Sequence, residues 1–137
     1  MTSYIFSQIK ENDVRTQKQL HALLTDAGIS AKQKADFVLG VFDEDYNLVA
    51  TGSTFQNHLH SMAVAGPYRG KGLLNQVLTY LYDLQFSLGN LELYLKAKEE
   101  LVPVFNSMGF SEIASLGGEV YMGNRKAVTS REAELSA

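Results

Sequence analysis

Apolar residues along the chain fall in short runs and stripes that switch between a strand period and a helix period. The run at 4–9 predicts a first strand. Asn12 then offers a helix cap, and Val14, Leu20, Leu23 and Leu24 give a partial apolar stripe that ends near Gly28. Ser30 predicts the cap of a second short helix over 30–35. The apolar run 37–42 predicts a buried strand, the polar stretch 43–47 a turn, and 48–55 its hairpin partner. A further strand is expected over 58–65. The turn 66–72 leads into a helix in which Leu74, Val77, Leu78, Leu81 and Leu84 share one face. Residues 91–96 predict another strand and 99–108 a short helix stopped by Gly109. A closing hairpin pairs 111–116 with 119–122 across Gly117-Gly118.

This alternation describes an α/β domain over 1–124, with 125–137 as a polar tail lacking a strand or a long apolar stripe. The length of 137 residues suits one domain, and 45% hydrophobic residues are enough to build its core. Twelve basic and 15 acidic residues leave a net charge of −3, which argues against a protein that coats nucleic acid. The tyrosines form no base-stacking stripe with interleaved cations. The cysteine count is zero, which excludes disulfides, thiolate metal sites and a cysteine nucleophile. No apolar run approaches the roughly 20 residues of a membrane span. The first residues lack the pattern of a signal peptide. The expectation is a cytoplasmic protein without membrane or nucleic-acid partners.

The strongest chemical signal is a strand followed by a glycine-rich turn and a helix start. Unpaired N–H groups at a helix N-terminus favour an anion, and glycine lets backbone approach a phosphate. Arg69 and Lys71 add positive charge beside Gly70 and Gly72. The bland alternative is a tight turn carrying two surface cations. The spacing matches neither an ATPase phosphate loop nor a dinucleotide fingerprint.

Counted from Val64, the run Arg69-Gly70-Lys71-Gly72-Leu73-Leu74 resembles the Gln/Arg-x-x-Gly-x-Gly/Ala signature of GCN5-related N-acetyltransferases (GNAT). That resemblance implies a mixed, mostly antiparallel sheet with helices on both faces. It implies acetyl-CoA as cosubstrate and an amine, on a small molecule or a protein, as acceptor. A homodimer is compatible with it. It further implies that the backbone of Gly70, Lys71, Gly72, Leu73, Leu74 and Asn75 holds the CoA pyrophosphate. Met62, Ala63 and Val64 would pair with the pantetheine arm like an added strand. Phe105 to Phe110 resembles the family's late Tyr-x-x-x-Gly-Phe segment, with Phe105 packing against the CoA arm. Two positions depart from the pattern. Leu74 stands where Gly or Ala is usual, and Phe105 stands where many members carry a proton-donating tyrosine. The blocks 41–45, 48–53, 57–64, 105–110 and 120–122 resemble more closely the N-terminal acetyltransferase-like domain of citrate lyase ligases. The downstream nucleotidyltransferase domain of those enzymes has no counterpart in the chain.

His58-Leu59-His60 supplies the second signal. A strand period of two would turn His58, His60, Met62 and Val64 to one face. Imidazole titrates near neutrality and suits removal of a proton from an amine. The run 58–64 resembles the matching strand of serotonin N-acetyltransferases, which implies His58 and His60 as catalytic bases. The alternative is a pair of half-buried strand histidines with local hydrogen bonds. Two candidate ligands make a weak metal site, and no metal is expected. An acetyltransferase and a non-catalytic module that binds CoA, or the CoA-like arm of a carrier, both remain open.

Overall fold

The computed structural model describes residues 3–124. The tail expected at 125–137 lies outside them. The chain divides into two compact units, 1–89 and 90–137.

The first unit is built on four strands: β1 (Ile5–Gln8), β2 (Phe37–Phe42), β3 (Leu48–Phe55) and β4 (His58–Val64). Each pairs antiparallel with the next. β2 and β3 have the bounds their apolar runs predict. β3 is buried over 48–54, on both faces, and is built largely from small residues after Leu48 and Val49. Helix α1 (Val14–Asp26) covers one face. Its Leu20, Leu23 and Leu24 form a cluster with Ile9, Phe42, Leu48 and Ala63. Helix α2 (Leu73–Ser87) covers the other. There the Cβ that Gly52 lacks would meet Val77 Cγ1 at 2.6 Å and Leu81 Cδ1 at 3.0 Å. Phe37 stacks on Tyr80 of the same helix at 6.2 Å.

Several sequence expectations shift by a residue or more. Asp13, not Asn12, caps α1, accepting from the Thr16 N–H at 3.2 Å and the Thr16 hydroxyl at 2.6 Å. Those bonds hold the Asp13 carboxyl below its usual range. Val14 is exposed, so the buried stripe begins at Thr16. No helix forms over 30–35. Ser30 accepts from the Lys32 N–H at 3.3 Å, as a cap would, but the segment has no apolar stripe to bury. In α2 the buried positions are Leu73, Val77, Leu78, Leu81 and Gln85, while Leu74 and Leu84 are only half-buried.

The second unit holds β5 (Tyr94–Lys98), α3 (Val102–Ser107), β6 (Ser111–Leu116) and β7 (Glu119–Gly123). β7 pairs antiparallel with both β5 and β6. β5 starts later than the expected residue 91, because the backbone before it bonds to a side chain. Leu93 N–H donates to Asn124 Oδ1 at 2.8 Å, and Asn124 Nδ2 donates to the Leu91 carbonyl at 3.0 Å. The expected helix over 99–108 opens as a 3-10 turn at Glu99–Leu101, with Pro103 in the first turn of α3. The hairpin turns at Gly117 and Gly118, with φ of 61° and 82°, the two left-handed positions a type I′ turn requires.

Candidate functional site

β4 runs through a 3-10 turn at Gly66–Tyr68 into the loop 69–72 and then α2. Gly70 and Gly72 are both left-handed, with φ of 77° and 80°. A Cβ at either would meet nothing within 4 Å, so the backbone faces open space at both. Gly72 is the N-cap of α2 and offers no side-chain acceptor; the first bond back is Gln76 N–H to the Gly72 carbonyl at 3.2 Å. The N–H groups of Leu73, Leu74 and Asn75 therefore have no acceptor within the helix. Open space at the backbone, N–H groups without a partner in the helix and the positive end of a helix dipole suit a phosphate or pyrophosphate.

The two cations beside this turn are held differently. Arg69 Nε donates to the Val64 carbonyl at 3.0 Å, which ties the turn to the end of β4. Lys71 Nζ sits 5.5 Å from the centroid of the Tyr68 ring. The Tyr68 hydroxyl donates to Asp43 Oδ2 at 3.4 Å, and its ring meets Tyr4 edge-on at 6.3 Å. Burial, then the Asp43 charge, raises the Tyr68 phenol above its ordinary value. Asp43 also organises the β2–β3 turn, its Oδ1 accepting from the Asp45 and Asn47 N–H groups at 2.9 Å each. Those backbone bonds, Asn47 foremost, pull its carboxyl below the usual range against partial desolvation. The Tyr68–Asp43 contact joins residues 25 apart in the chain, so no local sequence pattern signals it. Leu73 is fully buried and anchors the helix start, while Leu74 is half-buried and Asn75 exposed.

β4 does not keep one alternation. Thr51 pairs with Ala63 but Ser53 pairs with His60, so one extra residue of β4 is accommodated at Ser61 and Met62. Ser61 takes φ of 53°, an uncommon conformation for a residue with a side chain. The bulge reverses the facing of the strand. His58 and His60 share the α1 face with Ala63, which packs in the cluster around Leu20 and Leu24. Met62 turns to the α2 face, where its Cγ would lie 3.4 Å from a Cβ on Gly52. The expectation that His58, His60, Met62 and Val64 share one face is thus corrected. The histidines approach from one side of the strand, and Met62 and Val64 present to the other.

His60 is half-buried. Its Nδ1 lies 2.8 Å from Ser61 Oγ. Its Nε2 is buried without a hydrogen-bond partner among the described residues. Desolvation lowers its pKa below 6.5, opposed by the backbone of Lys34 and reinforced by His58. The Lys34 backbone lies beside the ring without making a hydrogen bond of ordinary length and angle to Nε2.

Phe105 belongs to the second unit, where it is 2% exposed and meets Phe110 edge-on at 6.2 Å. Among the described residues no group of three or more His, Asp or Glu is arranged to hold a metal ion. No helix among them is long and apolar enough to cross a membrane.

A sequence model of the acetyltransferase (GNAT) domain matches residues 8–121. The chain belongs to the GNAT acetyltransferase family. Among solved GNAT-like structures, an acyl-CoA N-acyltransferase from Pseudomonas aeruginosa superposes with a TM-score of 0.73 at 15% identity, covering 90% of this chain and 99% of that one. PH1933 from Pyrococcus horikoshii OT3 gives 0.76 at 16% identity, with 90% and 99% coverage. These likenesses establish the GNAT fold. By sequence the chain is similar to the [citrate [pro-3S]-lyase] ligase of Escherichia coli K12, 26% identical over 131 residues. The match takes in 95% of this chain and 37% of that ligase, so the chain spans little more than a third of its relative.

Proposed function

We propose that this GNAT domain moves an acetyl group from acetyl-CoA to an amine carried by a small molecule or a protein. The observation that carries the reading is the left-handed turn at Gly70 and Gly72, which opens an uncapped helix directly after β4. In this reading the N–H groups of 70–75 hold the pyrophosphate, with Arg69 and Lys71 adding charge. The backbone of Met62, Ala63 and Val64 takes the pantetheine amides. Acetyl-CoA, when bound, supplies a thioester open to attack by nitrogen. His58 and His60 lie on the opposite face of the strand from Met62 and take the proton an ammonium must lose before it attacks. A positioned base of this kind contributes about 100-fold to 10,000-fold. Phe105 has no proton to give, so it supplies no general acid.

Calorimetric titration with CoA and a turnover assay over a panel of amines test this reading together. Saturable heat, and turnover that collapses in a His58→Ala/His60→Ala double variant, are expected. The absence of both heat and a thermal shift at millimolar CoA would overturn the cofactor reading.

A second reading is a non-catalytic module that holds CoA or the CoA-like arm of a carrier. The half-buried Leu74 and the Phe105 position favour it, as does the similarity to a ligase over a minor part of that ligase. CoA binding with no turnover across the panel selects it.

A further inference from the structure

We propose that the Ser61 hydroxyl is the group through which His60 exchanges protons with the acceptor amine. This rests on the reading of His60 as a base.

A neutral imidazole has one N–H and one lone pair, and only a nitrogen with a path outward can take a proton from an acceptor. Nε2 of His60 has no such path, since it is buried and unpartnered. Nδ1 has one neighbour of the right chemistry, Ser61 Oγ at 2.8 Å. Ser61 is itself only half-buried. The proposed relay requires a neutral ring protonated at Nε2, with Nδ1 accepting from the Ser61 O–H at 2.8 Å. The Lys34 backbone beside the ring favours added positive charge there.

The transfer balances. An ammonium N–H bond of the acceptor breaks and its proton bonds to Ser61 Oγ. The proton already on that oxygen passes to Nδ1, and the nitrogen of the acceptor keeps the electron pair. Ser61 ends unchanged and His60 ends as imidazolium, which returns its proton to water by the same path.

The backbone adds an independent argument. Ser61 occupies φ of 53° at the bulge, where glycine would sit without strain. The side chain held there is a hydroxyl in contact with the His60 imidazole.

The test compares Ser61→Gly, which accepts the backbone and removes the hydroxyl, with Ser61→Ala, which keeps a Cβ and removes the hydroxyl. In both, kcat is expected to fall about 100-fold with the KM for acetyl-CoA little changed. Ser61→Gly is expected to melt above the wild type, so lost activity cannot be lost folding. Nitrogen NMR of the wild type should place the neutral His60 proton on Nε2, and the Nδ1 signal should shift in Ser61→Gly. Wild-type kcat in both variants overturns the proposal while leaving acetyl transfer standing. A neutral proton found on Nδ1 overturns it as well. Absence of turnover in the wild type removes the reading beneath it, and the tautomer alone then decides whether the Ser61–His60 pairing stands.

Discussion

Arg69 reaches back across the turn to Val64, its Nε donating to the Val64 carbonyl at 3.0 Å. The first residue of the glycine-rich signature is thereby fastened to the last residue of the strand that precedes it. This side-chain bond adds to the backbone bonds Tyr68 N–H to Ala65 C=O and Arg69 N–H to Gly66 C=O that hold the turn. Arg69→Ala should weaken CoA binding about tenfold, the scale of one charge-assisted hydrogen bond at an accessible site. Arg69→Lys should recover part of that loss, since it restores charge without the planar donor. Calorimetry on the three proteins checks the order.

Gly72→Asp should abolish CoA binding in a protein that still folds. Asp is among the side chains that tolerate a left-handed φ, and its Cβ would project into open space. Its carboxylate would also face the N–H groups of the helix start, which it can cap. The same carboxylate then occupies and repels the position of the pyrophosphate. An unchanged Kd in the folded variant would locate the phosphates elsewhere.

Gly52→Val should destabilise the first unit by about 1–3 kcal/mol through overpacking. A Cβ at 52 would stand 2.6 Å from Val77 Cγ1, inside any real contact distance. The strain falls on the β3–α2 packing that fixes the start of α2, so CoA binding should weaken together with the denaturation midpoint. Chemical denaturation and calorimetry on one preparation measure both.

Burial keeps His60 neutral below 6.5, its ordinary value. As pH falls through that value the unfolded chain takes up the proton first, so folded stability declines on acidification below about pH 6.5. A rate that needs neutral imidazole at 60 should persist to lower pH than an exposed histidine would allow. Proton NMR should show the His60 midpoint below 6.5, and His60→Gln should flatten the acid side of the stability profile. A midpoint above 6.5 would contradict the desolvated setting.

Local pattern was enough to read β2, β3, the Gly117-Gly118 hairpin and the turn 69–72. Each is specified by a short run bounded by turn residues or by glycines whose backbone freedom the turn needs, and both are properties of neighbours in sequence. The same holds for the chemistry of the turn, since Gly70, Gly72 and the helix start they precede are consecutive. What the tertiary structure decided depends on register and on distant partners. The bulge at Ser61 arises only when β4 is laid against β3, and one extra residue there turns Met62 away from His60. β5 starts late because Asn124, 31 residues on from Leu93, takes its hydrogen bonds. Residues 30–35 carry a capping serine but no apolar face, so a local signal for a helix met no surface that would stabilise it. The sequence by itself determined the glycine turn before α2; the pairing of β3 with β4 decided which face the histidines occupy.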